Sequence, residues 1–191
     1  MSLLGRRALI LLIASLAAVL GCFAVRSYRT LTSAPAPATV GIRIDRLAGP
    51  QFHTVLSTTE KEHVLDGQFT IVTSTQALPE PIQQAFAVIT REPRFLLADP
   101  GQRYQVTDVI LDPGLPFRRL VFAGVSGGKW FLHYEQGGIG HSYKVVVLSL
   151  QSEGQVEFLW GGLGFDQAKN LEDLRRLIAG NQFSDDTAYR W

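Results

Sequence analysis

The sequence predicts an α+β domain: an antiparallel meander sheet of about five or more strands with two helices on one face. An N-terminal membrane-anchoring helix or lipoprotein signal precedes it. Three observations carry this reading. Strand-like blocks between residues 118 and 160 are separated by breaks of only three to five residues. Two other segments, 79–90 and 171–179, show the periodicity of amphipathic helices. Residues 8–25 form a run of 18 residues without a charge.

That run sets the expected placement of the chain. Arg6 and Arg7 precede it, and Arg26 and Arg29 follow it. Eighteen residues at a rise of ~1.5 Å span about 27 Å, close to the hydrocarbon thickness of a bilayer. A signal anchor is one reading. The other comes from Val19-Leu20-Gly21-Cys22, which resembles the lipobox of bacterial lipoproteins and implies lipidation at Cys22. Leu20 is bulkier than the pattern prefers, and Phe23-Ala24-Val25 prolongs the apolar run. Either reading tethers the chain to a membrane. The domain is then extracytoplasmic, periplasmic or on the outer surface if the source is bacterial.

Residues 26–39 form a linker. Alternating Ala-Pro from Ala34 to Ala38 cannot be helical and favours a stiff, extended spacer. Residues 40–191 have the size of a single domain. With Arg6 and Arg7 set aside, 16 basic and 17 acidic side chains remain. A near-neutral domain argues against phosphate-driven nucleic-acid binding. Cys22 is the sole cysteine, so the domain can form no internal disulfide or thiolate metal site.

Within the domain, residues 40–44 and 69–73 read as strands. Residues 48–67 are polar and carry no clear pattern. Residues 79–90 read as a helix, with Pro79 and Pro81 in a first turn that lacks hydrogen-bonded donors anyway. Ile82, Phe86 and Ile89 make its apolar face. Asp99-Pro100-Gly101 and Asp112-Pro113-Gly114 are turn signals, and residues 104–111 between them read as a strand. Strands at 118–125, 129–136, 142–150 and 155–160 follow. Breaks of three to five residues permit only hairpins, because a parallel crossover needs a dozen or more. Asn170 caps the helix at 171–179, and Gly180 ends it. The tail from Gln182 is expected to be loosely held.

The chemical signals gather around one hairpin. His133 and Glu135 alternate onto the same face of their strand, and His141 opens the returning strand beyond Gly137–Gly140. Two imidazoles and a carboxylate at one hairpin mouth suit a divalent metal or a general acid–base pair. The plainer reading is a wet turn braced by a His–Glu contact. Gly124-Val125-Ser126-Gly127-Gly128 resembles the nucleophile elbow of the α/β-hydrolases, which would make Ser126 a nucleophile. That elbow requires a helix next, and Lys129-Trp130-Phe131-Leu132 reads as a strand. The same stretch is one residue short of a P-loop. Trp160, in a glycine-rich run, and Tyr143 are candidate ligand-binding aromatics, with a core role as the alternative. No cofactor is implied. The sequence thus points to a non-catalytic envelope domain whose partners are the membrane and an envelope protein or small ligand. The alternative is a small hydrolase or metalloenzyme using His133, Glu135 and His141.

Overall fold

The computed structural model describes residues 55–110 and 112–186. The anchor, Cys22, the linker and the strand expected at 40–44 lie outside these. Among the described residues no helix is long and apolar enough to cross a membrane.

The elements in order are α1 (Thr58–His63), β1 (Thr70–Val72), α2 (Glu80–Ile89), β2 (Arg118–Ser126), β3 (Lys129–Gln136), β4 (Ser142–Leu150), β5 (Val156–Gly164), α3 (Leu171–Ala179) and β6 (Ser184–Asp185). The six strands form one antiparallel sheet in sequence order. The meander follows from its turns. Gly127 and Gly128 both take positive φ, 51° and 85°, as a two-residue hairpin between right-twisted strands demands.

Helix ends follow local chemistry. Ser57 and Glu60 form a reciprocal capping box on α1. Pro79 caps α2 and leaves Pro81 in its first turn. The Asn170 side chain accepts from the Asp173 amide at the start of α3.

The two main helices do not share a face. Helix α2 buries Ile82, Phe86 and Ile89 with Leu120, Trp130, Leu132, Tyr134, Val146 and Phe158. Helix α3 buries Leu174, Leu177 and Ile178 with Phe122, Phe131, Val145, Val147, Trp160 and Phe183. Helix α1 packs against α3. The sheet is therefore covered on both sides, which corrects the one-face expectation. Unbroken apolar runs such as Val145-Val146-Val147-Leu148 reflect this, because strands covered on both faces need not alternate.

Two bulges re-aim side chains. The register shifts between Leu120 and Phe122, and again opposite Val147 and Leu148, where Leu159 is the extra residue. Phe158 therefore packs toward α2 and Trp160 toward α3, although strict alternation would put them on one face.

Three local expectations are corrected. Residues 104–110 are not a strand. They cross the end of the sheet irregularly, with the Gln105 amide donating to Pro116 O. Strand β5 continues through the glycine-rich run to Gly164. The tail is held as far as Asp186, because Ser184–Asp185 pairs with β5 and Phe183 is fully buried.

Candidate functional site

The polar end of the sheet lies where β3 leaves and β4 returns, around Gly137. Gly137 is needed there: a Cβ would meet Gln105 O at 1.8 Å. Its amide donates to Phe117 O, and the Gly138 amide donates to Val106 O at 3.2 Å. The irregular segment 104–106 is thereby fastened along the hairpin.

Glu135 is the hub of this end. Antiparallel register puts Arg119 on one side of it and Tyr143 on the other. Arg119 Nε donates to Glu135 Oε1, and the Tyr104 hydroxyl donates to Oε2 at 2.8 Å. His141 Nε2 lies 3.0 Å from the same Oε2 and 3.3 Å from the Tyr104 oxygen. The Arg119 guanidinium also lies over the Tyr104 ring, 4.5 Å from its centroid. The Glu135 side chain is 7% exposed, so these contacts replace nearly all its water. Burial by itself would raise its carboxyl, but the donors from Arg119, Tyr104 and His141 outweigh that and hold it below the usual range. Burial beside this anion raises the Tyr104 phenol. A carboxylate engaged by three donors is poorly placed to act as a base or a nucleophile.

The other sequence candidates separate from this hub. His133 does share the Glu135 face, but it is fully buried. Its Nδ1 lies 3.1 Å from Lys144 O, and its Nε2 accepts from the Ala168 amide at 3.2 Å. Both nitrogens are occupied by backbone groups, so His133 is a structural residue. Among the described residues, no three His, Cys, Asp or Glu side chains are placed to hold a metal. Both His133 nitrogens thus face backbone groups, while Glu135 and His141 meet at the hub.

Ser126 ends β2 at the opposite end of the sheet and pairs with Lys129 across a glycine turn. A strand follows where the nucleophile elbow needs a helix, and His141 lies beyond the far end of β3. The stretch is a glycine hairpin turn between two strands, the alternative to the elbow. Trp160 is fully buried, and its indole N–H donates to Asp185 Oδ1 at 2.7 Å. A Cβ on Gly162 would meet the Trp160 ring at 2.5 Å. The glycine run makes room for that indole, so Trp160 offers no face to a ligand. Tyr143 remains at the site: its ring is 5.0 Å from that of His141, and its hydroxyl donates to Gln167.

Sequence reasoning missed Arg119 and Tyr104. Register, once the hairpin is granted, places Arg119 beside Glu135. Nothing local marks Tyr104, which arrives from 31 residues away. A second buried polar group was also missed on the α2 side of the same sheet end. Lys144 Nζ lies 3.0 Å from Asp186, and Arg118 pairs with Glu92 at 2.8 Å. Burial lowers the Lys144 ammonium, and Asp186 offsets part of that.

Exposed hydrophobic residues occur on the segments at this end of the sheet. Five of the eight large hydrophobic residues exposed among the described residues lie at this end: Val106, Val109, Ile110, Ile139 and Phe165. Ile139, at the hairpin tip, is 94% exposed, and Phe165, just past β5, is 74% exposed. Comparison with protein-family models, curated proteins and solved structures finds no match to this chain.

Proposed function

We propose that this chain is a membrane-tethered cell-envelope protein whose domain binds a protein partner, without catalysis, through the hairpin end of its sheet. The observation that carries this reading is the gathering of exposed Ile139, Phe165, Val109, Ile110 and Val106 at one end. Scattered surface hydrophobics need no explanation, but a group of them around a fixed polar centre is the composition of an interface core with a polar anchor. The Glu135 hub supports binding over catalysis, since its donors hold Tyr104, Arg119 and His141 in place and leave the carboxylate no free role. The tether is supported by the 18 uncharged residues behind Arg6 and Arg7.

A photoreactive residue at position 139 of the full-length chain, in its native envelope, tests the surface. It should give one discrete protein adduct, and Val109→Asp with Phe165→Asp should abolish it. The same probe at Ile71, near the other end of the sheet, should give none. Equal adducts at both positions, or none at 139, would overturn the assignment. The full chain should also stay with the membrane fraction until detergent is added. Recovery of the unprocessed chain without detergent would remove the tether.

A further inference from the structure

We propose that His133 is an acid-sensitive latch that holds the β5–α3 connection, and with it Phe165, against the sheet. The latch rests on hydrogen-bond polarity. A carbonyl oxygen only accepts, so the ring proton must sit on Nδ1, facing Lys144 O. A backbone amide only donates, so Nε2 must present its lone pair to the Ala168 N–H. Only the neutral tautomer satisfies both. A second proton on Nε2 would face the Ala168 N–H donor head on and turn an attraction into a repulsion.

Among the described residues, that proton meets no other acceptor. His133 is enclosed by the rings of Phe122 from β2, Tyr143 from β4 and Phe183 from the segment before β6. Ala168, the residue that donates to it, is itself fully buried. The charged groups bearing on it are Glu135 on its own strand and Asp173 on α3, and both favour the imidazolium. Arg119 on β2 is committed to Glu135, and Asp185 of β6 to Trp160 and Lys61. Burial outweighs the favourable groups and holds the imidazole down at about 4.

Ala168 lies three residues past Phe165 and one past Gln167, the partner of Tyr143. Loss of the Ala168 contact would therefore free the strip carrying Phe165 and the Tyr143 hydroxyl together. As a device that regulates partner binding, the latch depends on the reading of Phe165 as part of the recognition surface.

Nitrogen-15 NMR of the full-length chain in detergent micelles, titrated from pH 7 to 3.5, tests it. At pH 7 the His133 ring should show the Nδ1–H tautomer. It should titrate near pH 4, where a solvent imidazole titrates at about 6.5. The Ala168 amide should shift with the same midpoint, while the Ile71 amide should not follow it. A His133 midpoint in the ordinary range, or an Ala168 amide that ignores the His133 titration, would overturn the latch. Absence of the position-139 adduct at every pH, with the coupled titration intact, would leave the latch standing and overturn the partner reading instead.

Discussion

Trp160→Ala should lower the free energy of unfolding by about 3–5 kcal/mol, the usual cost of removing a large buried aromatic. The indole is fully buried on the α3 face, among Val147, Leu174, Ile178 and Phe183. Gly162 lies against its ring and could not close the cavity, since it has no side chain to move in. Asp185 would lose the indole donor and keep Lys61, at 3.4 Å. Trp160→Phe should restore most of the packing and cost about 1 kcal/mol for the missing hydrogen bond. Urea titration of both variants measures this. A change within about 0.5 kcal/mol, as for an ordinary surface substitution, would mean that the tryptophan is not part of the core.

Acid should destabilise the protein before ordinary carboxylates titrate, and His133 is the cause. In the unfolded chain its imidazole takes a proton near pH 6.5, whereas in the folded chain burial delays this to about 4. The unfolded state thus binds the proton first as pH falls. The contribution of His133 is complete above the unfolded value and is lost between the two. The slope is about 1.4 kcal/mol per pH unit, so roughly 2 kcal/mol should go by pH 5 and about 3 by pH 4. Glu135 adds to this lower down. Its folded carboxyl is held below the usual value, so its contribution persists above the unfolded value and disappears as pH falls through the folded one. Unfolding free energies from urea titration at pH 7, 5.5 and 4 check the window. A flat profile between pH 7 and 5 would contradict the neutral, buried His133.

Much of the sheet was readable because its information is local. The breaks at 126–128, 137–140 and 152–154 are too short for anything but hairpins, and the four central strands follow from them. The helix at 171–179 matched its bounds because Asn170 and Gly180 mark both ends. What escaped was non-local or broke a period. Period-2 reasoning cannot foresee the extra residues at Val121 and Leu159, and the second decides which helix Phe158 and Trp160 meet. The strand expected at 104–111 has the right composition, but its partners at Pro116 and Gly138 pull it across the sheet end. At the site, the meeting of Glu135 with His141 follows from alternation and a tight hairpin. The sealing of His133 does not, because it takes the Ala168 amide from a loop 35 residues away.

If the hairpin end is a recognition surface assembled in advance, the Glu135 hub must hold it in place in the free protein. Native-state hydrogen exchange reads this at the Gln105 and Gly138 amides, which donate to Pro116 O and Val106 O. In the free wild-type chain both should exchange slowly, as amides of the neighbouring strands do. In Glu135→Gln, where Arg119, Tyr104 and His141 lose their shared anion, both should exchange at least tenfold faster while the α3 amides hold. Rapid exchange of these two amides in the wild type, or no change in the variant, would contradict a preassembled surface.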